Sequence, residues 1–123
     1  MNYPNDLKYT KEHVWVKLTG DTALVGVTDF AQDQLGDILF VDLPEEGASF
    51  EKGEVFTEIE SSKTASEVAL PFNGEVVKVN EDLDDSPELL NEDPYKNWIA
   101  EFKVEDAAQL DELLSAADYE AGL

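Results

Sequence analysis

The chain has 123 residues, which favours a single domain spanning residues 1–123, and its 42 % hydrophobic content is enough for a packed core. Twenty-nine acidic residues against eight lysines and no arginine give a net charge of −21, which repels phosphate backbones and anionic lipids, so we expect neither nucleic-acid nor membrane partners. The absence of cysteine excludes disulfides and thiolate chemistry, and no apolar run approaches the length of a signal-peptide core or membrane span, so we expect a cytoplasmic protein.

The first part of the chain predicts short strands around one short helix. Hydrophobic residues alternate over residues 13–18 and β-forming residues recur over 22–27, which predicts two strands joined by a turn. Thr28 is a typical helix N-cap and Gly36 a typical C-cap, so a short helix is expected between them. The apolar run over residues 38–43 predicts a buried strand.

A quasi-repeat follows, centred on Lys63. Strands are expected over residues 53–59, 68–70 and 74–79, with a glycine opening the first and the last. Lys63 lies ten residues after the first of these glycines and eleven before the second, within a patch of small polar residues. We therefore expect a hairpin turn at Lys63.

The last third of the chain begins with an acidic run. Residues 81–93 hold seven acidic side chains and no lysine, which predicts a solvated loop with one helical turn capped by Ser86, and residues 91–94 predict a turn. Residues 98–104 fit a strand. A helix is predicted at about residues 106–119, because Asp106 can cap it and apolar residues recur at helical spacing. The sum is a mainly β fold with short helices and a C-terminal helix.

Conventional active-site chemistry has no support in this sequence. His13 is the only histidine, so any Ser-His-Asp arrangement must use it, and a half-exposed strand residue beside Trp15 is the preferred interpretation. Two-histidine zinc sites are excluded. Asp82 and Asp84 have EF-hand spacing, but Pro87 occupies the position that requires glycine. We expect no catalytic residue and no metal ligand.

Lys63 remains as the candidate functional residue. An exposed lysine in a turn usually serves only solubility, and position alone leaves that interpretation open. Lysine is scarce here, however, and its neighbours Ser61, Ser62 and Thr64 are small. A modifying enzyme needs an ε-amine on a rigid, protruding tip, which a turn held by two strands provides.

Short motifs occur along the chain in an unbroken order. They are YTKEHVWV (9–16), TDFAQ (28–32), LGDI (35–38), VDLP (41–44), ESSKTASE (60–67), PFNGEV (71–76), LNEDPY (90–95) and WI (98–99). Together they resemble the motifs of glycine-cleavage H-proteins over roughly residues 7–119. The motif at 60–67 is similar to the lipoylation motif of that family.

The resemblance implies a barrel-sandwich hybrid of two antiparallel sheets with pseudo-two-fold symmetry, and lipoate amide-linked to Lys63. Glu60, Ser61, Ser62 and Glu67 are implied contacts for the lipoylating enzyme or for the loaded arm. The chain would then be a non-catalytic carrier, expected to be a monomer. It would shuttle an aminomethyl group and reducing equivalents between a pyridoxal-phosphate glycine decarboxylase, a tetrahydrofolate-dependent aminomethyltransferase and dihydrolipoyl dehydrogenase.

Two positions depart from the family pattern, and alternatives remain. Ser62 stands where valine is common, and Val14 stands where a glutamate is associated with holding the cationic group of the loaded arm. Val14 keeps open an H-like carrier that relays lipoate or serves sulfur metabolism. A biotin carrier is disfavoured because no methionine adjoins Lys63, and a small carboxylate enzyme finds no supporting spacing. The acidity either steers the chain towards basic docking patches or only maintains solubility.

Overall fold

Antiparallel strands make up most of the fold, which we describe from a computed structural model covering residues 2–123. The strands are β1 (Lys8–Tyr9), β2 (Val14–Thr19), β3 (Thr22–Val27), β4 (Ile38–Asp42), β5 (Ser49–Phe50), β6 (Val55–Ser61), β7 (Ala65–Ala69), β8 (Gly74–Val79) and β9 (Ala100–Val104). The helices are α1 (Asp29–Leu35), α2 (Asp82–Asp85), α3 (Leu89–Glu92) and α4 (Ala116–Ala121), with a 3₁₀ helix at Ala107–Glu112. Within residues 2–123, no helix combines the length and the apolar composition needed to cross a bilayer.

The strands form two sheets. The large sheet has the order β1-β2-β3-β9-β8-β5, and the small sheet has the order β4-β6-β7. The pairings that build both sheets are antiparallel. The predicted mainly β class with short helices is confirmed, and the strands expected at 22–27 and 74–79 have those bounds.

The main core contains side chains of both sheets and centres on Phe102 of β9. The ring of Phe102 is fully buried, and the rings of Phe56, Phe72 and Phe50 lie edge-on to it at centroid distances of 5.3, 6.0 and 6.4 Å. Phe56 belongs to β6, so these contacts join the small sheet to the large one. The hairpin between β6 and β7 is therefore carried by a packed scaffold.

A second apolar cluster covers the other face of the large sheet, and Trp15 lies in it. Its buried members are Leu7, Tyr9, Trp15, Ala116 and Tyr119. Trp15 is 1 % exposed, and its indole N–H donates to the Pro94 carbonyl oxygen at 3.1 Å. His13, expected in the same strand, lies instead in the turn before β2, with φ at +69°. That backbone region is one in which histidine is enriched among non-glycine residues.

The segment at 81–93, predicted as a solvated loop with one helical turn, contains two one-turn helices, α2 and α3. Two leucines of this acidic segment, Leu83 and Leu90, are fully buried in the main core and attach the segment to it. Ser86 is not the N-cap of a helix but the C-terminal cap of α2, and the second helix begins at Leu89. The prediction was wrong because two buried leucines outweigh the charge of the segment.

The strand predicted as buried at 38–43 is buried only in part. Ile38 and Val41 of β4 point into the core, whereas Leu39 and Phe40 are exposed. A β-bulge between Ile38 and Phe40 breaks the alternation of the strand. Two consecutive apolar side chains consequently face outward.

The helix predicted at 106–119 is divided in two. The side chain of Asp106 caps the 3₁₀ helix as expected. Beyond this helix, Leu114 forms a β-bridge with Tyr9 through two backbone hydrogen bonds of 2.7 and 2.8 Å. This pairing draws the backbone out of the helical path, and Ser115 then caps α4.

Candidate functional site

The β6–β7 hairpin presents Lys63 at an exposed turn made by residues 62–64. The Ser61 hydroxyl accepts hydrogen bonds from the N–H groups of Lys63 (3.3 Å) and Thr64 (3.2 Å), and it donates to the Thr64 carbonyl oxygen (3.0 Å). The Ser61 N–H donates to the same carbonyl oxygen at 2.8 Å. One serine thus satisfies most of the backbone of the turn, and the predicted hairpin is confirmed.

The Lys63 side chain leans over Gly36, at the end of α1. A Cβ atom on Gly36 would lie 3.2 Å from Lys63 Cε and 3.7 Å from its Nζ. Gly36 has φ 76° and ψ −149°, a combination close to the one that only glycine adopts readily. The Asp37 carbonyl oxygen accepts a hydrogen bond from the Ser62 N–H at 2.9 Å, which does not depend on a serine side chain at position 62. The segment after α1 therefore supports the turn from one flank.

Asn91 braces this supporting segment from a distant part of the chain. Its side-chain nitrogen donates to the Gly36 carbonyl oxygen (2.8 Å) and to Gln32 Oε1 (3.0 Å), and its side-chain oxygen accepts from the Ile38 N–H (2.9 Å). From the sequence we expect Asn91 only as a turn residue. The available signal was an uncharged amide among carboxylates, inside the motif at 90–95.

The carboxylates that flank Lys63 lie on the outer face of the small sheet. Glu60 pairs with Phe40 of β4, and Glu58 pairs with both Asp42 and Glu67. Residues paired across strands project from the same face, so these side chains form one acidic surface. Glu60 adjoins the turn, whereas Glu67 lies farther from it along β7. The structure thus brings Lys63 together with Ser61 and Ser62 at the turn. Glu60 and Glu67 lie on the adjoining strands β6 and β7.

A cavity of about 140 Å³ lies beside β7, on the side of the His13 turn. The polar residues that line it are Glu12, His13, Gln34, Ser66 and Glu67, and the other lining residues are apolar. Val14 is instead packed in the main core and is 1 % exposed. The cavity can therefore accept a hydrocarbon chain. Glu12 contributes an acidic residue to its lining, whereas the Glu67 side chain projects from the outer face of the small sheet.

The histidine belongs to a structural network. His13 Nδ1 lies 2.7 Å from Tyr119 Oη, which in turn lies 2.7 Å from Thr28 Oγ1, so the contacts tie α4 to the start of α1. Burial lowers the pKa of the His13 imidazole below its ordinary value, and the charge of Glu12 opposes this shift. In the described range 2–123, no three His, Asp or Glu side chains are grouped so as to hold a metal ion. The reactive group of the site is the Lys63 amine.

Gly36→Ala is expected to destabilise the fold and to displace the Lys63 side chain, whereas Gly20→Ala should only destabilise it. Both glycines have positive φ, 76° and 65°, so either alanine costs about 1–2 kcal/mol of unfolding free energy. Only the Cβ atom at position 36 would meet Lys63, since nothing lies within 4 Å at Gly20. Urea denaturation measures the stability, and the rate at which an active ester acylates Lys63 measures its accessibility.

The acylation rate should rise in Gly36→Ala and stay at the wild-type value in Gly20→Ala. Equal acylation rates in the two variants would contradict the contact between Lys63 and Gly36. Peptide mass spectrometry assigns the acylated residue, so reaction at other lysines does not blur the comparison.

Known proteins share this sequence and this fold. The family model described as glycine cleavage H-protein matches residues 7–123. The glycine cleavage system H protein of Clostridioides difficile (strain 630) is 56 % identical over 119 residues, covering 96 % of this chain and 95 % of that protein. The glycine cleavage system H protein of a Bacteroides fragilis strain is 54 % identical over 122 residues, covering 98 % and 97 %.

Solved structures give the same answer for the architecture. The crystal structure of a glycine cleavage system H protein from Mycobacterium marinum matches with a TM-score of 0.88 at 36 % identity, covering 98 % of this chain and 100 % of that chain. This match confirms the predicted fold class, and the family inferred from the motifs is confirmed with it. The chain belongs to the glycine cleavage H-protein family.

Proposed function

We propose that this chain is the lipoyl carrier of the glycine cleavage system and that lipoate is amide-linked to Lys63. The observation that carries the proposal is an exposed lysine on a turn that Ser61 and the segment after α1 hold in place. The relatives at 56 % and 54 % identity are named as H proteins of that system, which supports the same role here.

The residues around Lys63 fit an amide-linked lipoyl group. Its neighbours Ser62 and Thr64 are small and exposed, so an acyl chain has room at the tip. The turn is held by Ser61 and by the Asp37 carbonyl, and acylation of the lysine leaves those hydrogen bonds intact. The amide removes the ammonium charge, and the extended arm reaches on the order of 14 Å from Cα. When bound, lipoate supplies dithiol redox and group-transfer chemistry.

The chain itself would present the arm, and its partners would catalyse. The proposed partners are the lipoylating enzyme, the pyridoxal-phosphate glycine decarboxylase, the tetrahydrofolate-dependent aminomethyltransferase and dihydrolipoyl dehydrogenase. A net charge of −21 supports encounter with basic docking patches on such enzymes. A cytoplasmic monomer stays our expectation for the working form.

The cavity beside β7 supports a resting place for the loaded arm. Val14 cannot balance a cation, because an apolar side chain in the core neither accepts a hydrogen bond nor carries charge. Glu12 lines the cavity, so we propose that it replaces the missing carboxylate, with Glu60 and Glu67 on the outer face of the small sheet left to contact the lipoylating enzyme. The alternative functions, lipoate relay and sulfur metabolism, rest on Val14 alone, and the names of the relatives favour glycine cleavage.

The proposal predicts one lipoyl group per chain, on Lys63. Purified protein is incubated with lipoate, ATP and a lipoate–protein ligase, then analysed by intact and peptide mass spectrometry, with a known acceptor protein as positive control. We expect complete modification of the peptide that contains Lys63. A chain that stays unmodified while the control acceptor is lipoylated would refute the proposal. Modification at another lysine would refute the assignment of Lys63.

A further inference from the structure

An exposed apolar pair lies on the edge strand of the small sheet, beside the attachment lysine. Leu39 is 62 % exposed and Phe40 is 44 % exposed, although their neighbours Ile38 and Val41 are buried. The β-bulge between Ile38 and Phe40 is what turns both side chains outward. An exposed apolar pair on an edge strand promotes unwanted association, so its presence indicates a surface that a partner covers.

The pair lies on the flank towards which the lysine leans. Ile38 pairs with Ser61 at the base of the turn, and the next paired residue of β4, Phe40, faces Glu60. Lys63 Nζ is on this flank too, since it lies 3.7 Å from where a Cβ of Gly36 would be. With neighbouring strands near 4.8 Å apart, the apolar pair lies on the order of 10 Å from the Lys63 Cα.

The surroundings of the pair are acidic. Asp42, Glu58, Glu60 and Glu67 share the outer face of the small sheet through their cross-strand pairings. Lys63 is the only basic residue between Lys52 and Lys78, and none occurs between Lys17 and Lys52. A complementary partner surface therefore has an apolar pocket within a basic rim.

We propose that Leu39 and Phe40 are the docking anchor for the enzyme that acylates Lys63. In the acylation step, the neutral amine attacks the carbonyl carbon of an acyl adenylate made from ATP. The amide C–N bond forms, the bond to the adenylate breaks, and the amine proton leaves to solvent. This inference rests on the proposed function, because it requires Lys63 to be the acylated residue.

The reach of the lysine selects this enzyme among the partners. An unmodified Lys63 extends only about 6 Å from its Cα, so the acylating active site must cover the surface immediately around the hairpin. Enzymes that meet the loaded arm gain a reach on the order of 14 Å and can dock farther away. The pair beside the turn therefore matches the partner that needs the closest approach.

The test is steady-state lipoylation by a lipoate–protein ligase with the carrier as the varied substrate. Leu39→Ala/Phe40→Ala is compared with Leu18→Ala/Val77→Ala, which removes two side chains of similar exposure, 48 % and 42 %, from the large sheet. We expect KM for the carrier to rise about tenfold in the first variant, with kcat within about twofold, and no change in the second. Leu39→Thr/Phe40→Thr repeats the test with residues that favour strands.

An unchanged KM in both anchor variants would overturn the inference, and so would an equal rise in the control variant. Thermal unfolding of each variant verifies that the comparison is made between folded proteins. Failure of the wild-type chain to be lipoylated would refute the proposed function instead. Wild-type modification at Lys63 with KM indifferent to positions 39 and 40 would refute only the docking anchor.

Discussion

Lys63→Arg is expected to abolish lipoylation while leaving the free energy of unfolding within about 0.5 kcal/mol of wild type. The side chain is exposed, and the hydrogen bonds of the turn come from Ser61 and Asp37, so folding does not depend on the lysine head group. Arginine keeps the positive charge, but its guanidinium stays protonated and offers no free amine to an activated carboxyl group. Lipoylation should therefore be lost completely, while the stability of the fold should not change.

Lys78→Arg is the matched control, because Lys78 is likewise an exposed lysine but lies on strand β8 and not in the hairpin turn. It should be lipoylated at the wild-type rate and to the wild-type extent. Intact mass spectrometry measures lipoylation and urea denaturation measures stability for both variants. A lipoyl mass on Lys63→Arg, at any other lysine, would show that the attachment assignment is wrong.

The hairpin that carries this lysine could be predicted because its signals are local. Strand-forming residues on either side of the small polar residues at 60–66 are sufficient to predict a turn, and β6 and β7 pair around Lys63 as expected. The cap residues Thr28 and Gly36 also act at short range, and α1 lies between them. Each of these features depends on residues within a few positions of one another.

The supports of the hairpin could not be predicted, because they join distant parts of the chain. Asn91 contacts Gly36 across 55 positions, and Ser62 bonds to Asp37 across 25. Helix α2 and the burial of Leu83 and Leu90 were missed for the same reason, since these leucines are buried by packing against strands that the local acidic composition does not reveal. The charge of a segment indicates that part of it is exposed to solvent. It does not indicate whether an apolar residue within the segment faces the solvent or the core.

Strand β2 shows where alternation fails as a guide to burial. Strict alternation puts Val14, Val16 and Leu18 on one face, which would make all three core residues. In the structure Val14 and Val16 are buried, Leu18 is 48 % exposed, and Trp15 on the opposite face is 1 % exposed. Trp15 is buried because the segment at Pro94 and Tyr95 lies against its indole, within the apolar cluster that also contains Ala116 and Tyr119 of α4.

Trp15→Ala is accordingly expected to lower the free energy of unfolding by about 3–5 kcal/mol, the usual cost of deleting a buried large aromatic side chain. The indole packs on Gly26, where a Cβ would come within 2.7 Å of it, and it donates to the Pro94 carbonyl oxygen. Trp15→Phe keeps most of the ring and leaves that carbonyl unpaired, so it should cost about 1–3 kcal/mol. Urea denaturation followed by far-ultraviolet circular dichroism measures both, because tryptophan fluorescence changes with the substitution itself.

Leu18→Ala on the same strand tests whether burial in β2 follows strict alternation or the exposure seen in the structure. If alternation determined burial, deleting the Leu18 side chain would cost about 2–5 kcal/mol, whereas the observed exposure predicts a change within about 0.5 kcal/mol. A cost at Leu18 equal to that at Trp15 would contradict the second apolar cluster. The expected asymmetry also separates stability from function: under conditions where Trp15→Ala is folded, Lys63 should still be lipoylated, because Ser61, Gly36 and Asn91 form its support without any contribution from that cluster.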